Sequence, residues 1–265
     1  MLGGSSGGLS EYRAEKLAEE GFLALALAYF GLESLPKRLN QIPIEYFETA
    51  IQYLSKFSDR IGLWGVSRGA ELSLILGTLF PNQISAIAAH VPSSVVYGAL
   101  DDPSPAWIYR GKPVAPSAPF SFLSSSTGEC EKSAICITPS FLSAMSEKEA
   151  FESSAICVER LKCPLLLISA QDDQMWPSSL FAAQIVERLE KFQSTIDVSH
   201  LAYSGVGHAP AKGTAGLHPV LKRWFVYGGN PEENAAAAID WIEKTVSFFK
   251  SKIDGGLCVE SGRIK

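Results

Sequence analysis

Basic charge is scarce and scattered in this chain: 23 lysines and arginines stand against 28 acidic residues, for a formal net charge of −5. No basic run and no aromatic-basic platform occurs, which argues against nucleic acid as a partner. Cysteine is sparse too. Of the five, Cys130/Cys136 and Cys157/Cys163 are each spaced six apart and Cys258 stands alone, with no C-x-x-C and no histidine at a zinc-ligand offset. A structural metal and a disulfide framework are therefore not expected, and free thiols in a reducing compartment are. No apolar run reaches the roughly 18 residues of a membrane span. The first twenty residues lack a basic stretch leading into an apolar core, so a soluble, cytoplasmic protein is expected. No period of about 20–50 residues marks a repeat array.

What the chain does have is apolar content, 46% of 265 residues, enough to build a core without staples. Apolar runs alternate with helical patterns. Residues 22–30 form a continuous apolar run between Gly21 and Gly31 and read as a strand buried on both faces. Residues 44–57 carry Ile44, Phe47, Ile51 and Leu54 at helical spacing. Strands are expected at 61–64, 84–90, 165–169 and 196–203, with helices at 67–80, 178–192 and 231–249, the last opened by Pro231. This alternation predicts an α/β protein with a mostly parallel, doubly wound sheet. Residues 92–162, rich in proline and serine, break the rhythm and are expected to form either a lid or binding loop or a partly disordered surface loop, inserted into a single domain over 1–265.

The sharpest local motif is Gly65-Val66-Ser67-Arg68-Gly69, a G-x-S-x-G pattern between a predicted strand and a predicted helix. Small flanking residues permit the tight turn that pushes a serine hydroxyl out of the backbone. Two further matches, at residues 3–7 and 4–8, have no strand before them. Ser67 is therefore the candidate nucleophile, and the Ser5 and Ser6 side chains are not.

A nucleophilic serine needs a base and the base an orienting acid, which in this architecture follow in the order serine, acid, histidine at strand ends. The predicted strand at 165–169 runs into Asp172-Asp173, and that at 196–203 into Gly207-His208. His208 is the candidate base. His200 lies within a strand, His90 ends one, and His218 sits in a late loop without a motif. Of the two acids Asp173 is favoured, standing four residues before Pro177, with Asp172 as a neighbour or solvated loop residue. The backbone N–H of Arg68 and one from the glycine-rich loop 3–8, assigned to Ser5, are the candidate oxyanion donors.

Taken together, residues 3–8, Glu11-Tyr12-Arg13, residues 25–30, residues 65–69, Trp107 with Tyr109-Arg110-Gly111-Lys112, Asp172-Asp173, Trp176-Pro177-Ser178, Gly207-His208 and Gly228-Gly229-Asn230-Pro231 resemble a known family. It is the α/β-hydrolase-fold catalytic domain shared by acyl-CoA thioesterases and bile acid-CoA:amino acid N-acyltransferases, and the resemblance covers nearly the whole chain. It implies Ser67 as nucleophile, Asp173 as acid and His208 as base, with an acyl-CoA as substrate and neither metal nor cofactor. Members with a serine nucleophile mostly hydrolyse the thioester, whereas those with cysteine transfer the acyl group to an amino acid. The sequence departs from the eukaryotic pattern in showing no β-sandwich domain ahead of this one, and in residues 92–162.

The rival readings are a dienelactone-hydrolase-like carboxylesterase, an acyl-CoA:amino acid N-acyltransferase, and an inactive hydrolase fold used for binding. One further expectation concerns the sheet. The loop at residue 3 should follow a central strand, yet Met1 and Leu2 span only about 7 Å. An open slot beside residues 22–30 is expected, and with it a natural start upstream of residue 1; the alternatives are a sheet that closes over the gap or a strand borrowed from a second copy.

Overall fold

Four of the apolar runs form the core sheet of the computed structural model, which describes residues 1–100, 103–118, 128–129 and 134–253. Strands Gly62–Val66, Ala86–His90, Leu165–Ala170 and Val198–Tyr203 lie side by side in chain order, all parallel. Register is set by Leu63 opposite Ile87, Ile87 opposite Leu165, and Leu165 opposite Val198. The two middle strands are buried along their whole length, which is why they read as unbroken apolar runs; Val198–Tyr203, at the edge, is only half buried.

Helices cover both faces. Helix Arg68–Leu79 is buried from Arg68 to Gly77 and packs with Ile44–Leu54 and Ser178–Lys191 into the core containing Phe47, Leu72, Ile87 and Leu165. On the other face Glu11–Glu19 and Pro231–Lys252 cover Trp64, Ala88 and Ile168 with Leu17, Trp241 and Phe249. Asn230 caps that last helix by accepting the Glu233 N–H at 2.9 Å.

One expectation needs correcting. Residues 22–30 do not form a ladder strand: the segment pairs only through an isolated parallel bridge between Leu2 and Leu27. Leu2 bridges Gly65 on its other side, donating to the Trp64 carbonyl at 2.9 Å and accepting from Val66 at 3.2 Å. One bridge does not make a strand, and the Leu27 N–H donates to the Met1 carbonyl at 3.2 Å beside it. Below that bridge a cavity of about 360 Å³ opens, lined among others by Phe22, Ile61, Gly62, Trp64 and Phe249.

The 92–162 stretch, read from sequence as an insertion, contains short elements over its described residues. Strand Trp107–Tyr109 pairs with Ile42–Pro43 and Lys112–Pro113, while Thr138–Ala144 and Lys148–Ser153 are helices. Trp107 is fully buried, and apolar burial of this kind orders a segment that composition alone marks as loop. Ile135–Cys136 joins a second sheet with Gly128–Glu129 and with the hairpin Ala215–Leu217/Trp224–Val226. The stretch is thereby stitched to the chain that follows His208. Cys157 and Cys163 are free thiols; Phe120, Phe122, Cys130 and Cys258 lie outside the described residues.

Candidate active site

Ser67 sits where strand Gly62–Val66 breaks into helix Arg68–Leu79, with φ at +58° and ψ at −122°. A non-glycine residue in that region is strained, by about 1–3 kcal/mol. The flanking glycines are what make the turn possible. A Cβ on Gly65 would fall 2.0 Å from the Gly69 carbonyl oxygen, and one on Gly69 would fall 2.3 Å from that of Leu2. No larger residue fits either position. The Ser67 N–H is held by the His90 carbonyl at 2.9 Å.

Ser67 Oγ lies 3.0 Å from His208 Nε2, and His208 Nδ1 lies 2.8 Å from Asp173 Oδ2. All three side chains are buried. A carboxylate only accepts, so Nδ1 carries the ring proton and Nε2 faces the serine hydroxyl as acceptor. The other Asp173 oxygen accepts backbone N–H groups of Met175 at 2.9 Å and Trp176 at 3.2 Å, which fix the acid in place. The His208 N–H donates to the Tyr227 carbonyl at 2.7 Å, and its ring meets Trp176 edge-on at 5.8 Å. Asn234, on the last helix, accepts the Gly207 N–H at 2.9 Å and so anchors the loop bearing His208.

Asp172 does not reach His208, and neither is it merely solvated. Its carboxylate accepts from the Gly229 N–H at 2.8 Å and from Gln174 Nε2 at 3.0 Å, bracing the turn behind the histidine. His90 is a core residue: burial lowers its basicity, its ring lies between Trp64 and Trp241, and Nε2 meets Thr245 Oγ1 at 2.7 Å. His200 lies on the edge strand against Ser169 Oγ at 2.8 Å.

The glycine-rich loop crosses directly above the nucleophile. A Cβ on Gly4 would lie 3.1 Å from Ser67 Cβ and 3.6 Å from its Oγ. Tyr29 Oη donates to the Gly3 carbonyl, holding the near end of this loop. Arg68, first residue of its helix, has a backbone N–H with no intrahelical partner. Its side chain runs the other way into a buried network that sequence reasoning missed. Nη1 lies 2.9 Å from Glu71 Oε2, and Nη2 donates to the carbonyls of Tyr97 at 2.8 Å and Gly98 at 3.1 Å. Glu71 Oε1 accepts from Trp107 Nε1 at 2.7 Å. Burial pushes the Glu71 carboxyl up to about 7, against the opposing pull of the Arg68 charge. A lone acid in an otherwise apolar helix was the available signal for that network. Ser5 Oγ meets His218 Nε2 at 2.9 Å across 213 residues, and no local signal marked that pair.

A strained serine at a strand-to-helix turn, facing a buried histidine–aspartate pair on a parallel sheet, defines an α/β-hydrolase. The crystal structure of Paleococcus ferrophilus monoacylglycerol lipase shares this fold, with a TM-score of 0.54 at 16% identity over 93% of this chain and 92% of that one. More particularly, the chain belongs to the BAAT / acyl-CoA thioester hydrolase C-terminal family, whose model matches residues 42–255. It is 29% identical to human acyl-coenzyme A thioesterase 1 over 95% of this chain and 59% of that protein. To mouse peroxisomal succinyl-coenzyme A thioesterase it is 30% identical over 93% of this chain and 58% of that protein. The chain thus spans somewhat more than half the length of these relatives. Among the described residues no helix is long and apolar enough to cross a membrane.

Proposed function

We propose that this chain hydrolyses acyl-CoA thioesters to a free acid and coenzyme A through an acyl-enzyme on Ser67, in the cytoplasm and within one domain. The observation that carries the reading is the unbroken line from Ser67 Oγ through His208 to Asp173, at 3.0 and 2.8 Å. Family membership supplies the substrate class.

In the first half-reaction His208 Nε2 takes the Ser67 proton as the hydroxyl oxygen attacks the thioester carbonyl. The carbonyl oxygen becomes an oxyanion, received by the backbone N–H groups of Arg68 and Ser5; one such donor is worth roughly 2.7–4 kcal/mol. As the intermediate collapses the carbon–sulfur bond breaks, and the imidazolium returns its proton to the departing sulfur. Asp173 stabilises the imidazolium and keeps its Nδ1 proton in place. In the second half-reaction His208 deprotonates a water that attacks the ester carbonyl; collapse releases the acid and restores the Ser67 hydroxyl. Acyl-CoA is the substrate here and coenzyme A a product.

The test combines an alkyl fluorophosphonate probe with thiol release from palmitoyl-CoA. Wild type should be labelled and turn over, and Ser67→Ala should do neither. Labelling without thiol release, together with rapid cleavage of p-nitrophenyl esters, would replace the thioesterase reading with that of an oxygen esterase.

A further inference from the structure

The loop at residues 3–8 must be held over Ser67 if its backbone is to meet a developing oxyanion. Among the described residues three hydrogen bonds tether its backbone. Gly7 N–H donates to the Gly4 carbonyl at 3.2 Å, Gly8 N–H to Phe30 at 3.2 Å, and Tyr29 to Gly3. Ser5, at the crest, is held through its side chain by His218 Nε2 at 2.9 Å.

His218 is itself immobilised. It is buried, its ring meets Phe225 at 5.8 Å, and its backbone N–H donates to the Arg223 carbonyl at 2.8 Å. Its Nδ1 accepts the backbone N–H groups of Val220 at 3.3 Å and Leu221 at 3.2 Å. Two donors on Nδ1 leave the ring proton on Nε2, so the imidazole donates to Ser5 Oγ. Burial foremost, then the Lys212 and His208 charges, draws its pKa down to about 4, so the ring stays neutral at physiological pH. The hairpin carrying His218 continues into Tyr227, whose N–H donates to the Thr214 carbonyl at 2.7 Å and whose own carbonyl receives the His208 N–H at 2.7 Å. The strut therefore ties the glycine loop to the same backbone that orients the base.

We infer that His218 is a positioning residue: its Nε2–H···Oγ bond to Ser5 fixes the glycine loop above Ser67, so that the Ser5 backbone N–H points at the oxyanion. The inference rests on the hydrolase reading above.

The test compares Ser5→Ala, His218→Leu, the double variant, and His218→Gln, in which an amide can still accept from the backbone and donate to Ser5. Turnover of palmitoyl-CoA is measured alongside binding of two long-chain thioethers. One is a trifluoromethyl ketone that adds Ser67 as an oxyanionic hemiketal; the other lacks the carbonyl. Ser5→Ala and His218→Leu should each lower kcat about tenfold, the scale of one lost hydrogen bond, with KM within about twofold of wild type. The double variant should be no worse than the weaker single, and His218→Gln should recover most of the loss. Ketone affinity should fall by the same factor as kcat while affinity for the carbonyl-free thioether holds. Wild-type kcat and ketone affinity in Ser5→Ala, or additive losses in the double variant, would overturn the strut. If His218→Leu does not fold, Ser5→Ala and His218→Gln carry the comparison. If wild type releases no thiol, the substrate reading fails separately, and the same variants are compared on a p-nitrophenyl ester and the ketone.

Discussion

A single methyl group on Gly4 gives a direct measure of how closely the glycine loop must approach the nucleophile. In Gly4→Ala the new carbon would lie 3.1 Å from both Ser67 Cβ and the Val66 carbonyl oxygen. Carbon contacts settle at about 3.5–4.0 Å, so the loop must retreat by about half an ångström. Gly4 lies outside the left-handed region, so alanine adds no backbone strain there. Misplacement by about 1 Å costs on the order of 10²-fold in rate, and losing an oxyanion donor outright costs about 10²–10³-fold. A half-ångström retreat should therefore lower kcat by about ten- to a hundredfold with KM little changed. The folding cost is smaller: crowding of about 1–3 kcal/mol, partly offset by about 0.4–1 kcal/mol from a less flexible unfolded chain. That amounts to a fall in Tm of a few degrees, roughly 2–4 °C per kcal/mol for domains of this size. Stopped-time thiol release at saturating palmitoyl-CoA, with calorimetry on the same sample, reads both. Wild-type kcat in Gly4→Ala would refute the reasoning, because a loop able to absorb the methyl freely does not hold its N–H groups in place.

Asp173→Asn should lose about 10⁴-fold in kcat by favouring the wrong tautomer of His208, whereas Asp172→Asn, which touches only the bracing turn, should lose far less; equal losses would mean the acid has been misassigned. Glu71→Leu leaves the Arg68 guanidinium buried without its carboxylate and should destabilise the fold by about 3–5 kcal/mol in urea titrations, with a loss under about 1 kcal/mol contradicting the network. Stability should also fall in acid through His218. Its folded pKa, about 4, lies below the ordinary 6.5, so the unfolded state takes up a proton that the folded state refuses. This share of stability is complete above about pH 6.5, is lost as pH falls towards 4, and is of the order of 3 kcal/mol at most. Urea midpoints between pH 4.5 and 7.5 should therefore slope less steeply in His218→Gln than in wild type. His90, shifted the same way by burial, contributes equally to both. Parallel slopes would remove the His218 share.

How much was legible in the sequence depended on the range over which each feature is determined. The nucleophile turn is local, since Gly65, Ser67 and Gly69 answer to steric constraints within five residues, and their spacing was readable. The buried strands were readable because burial on both faces leaves an apolar run. The order of Ser67, Asp173 and His208 followed from strand ends. Residues 22–30 carried the same apolar signal yet made only one bridge, because a strand requires a partner and composition does not report one. The contact between Ser5 and His218, and the buried link from Arg68 and Glu71 to Trp107 and Tyr97, join segments that tertiary packing alone brings together. For the same reason the short elements of 92–162 escaped notice: Trp107 and Phe141 order them by burial in the fold, and no local periodicity announces it.

The strain at Ser67 is the point on which these long-range contacts converge. A residue at φ +58° persists only where its surroundings leave no relaxed alternative. Here the following helix is buried from Arg68 to Gly77, and the Ser67 N–H and carbonyl are both engaged, the first by His90 and the second by Ala70 and Glu71 N–H groups. Gly69 is pressed beneath the Leu2 and Gly3 carbonyls, so relaxing the turn would drive the helix into the glycine loop. Arg68 and Glu71, by gripping the Tyr97 and Gly98 backbone and Trp107, stop the helix from sliding outward instead. The same packing that pays for the strain therefore sets the distance between Ser67 and the loop above it. A variant that loosens the Arg68–Glu71 pair should accordingly lower kcat as well as stability, although the Glu71 side chain is fully buried.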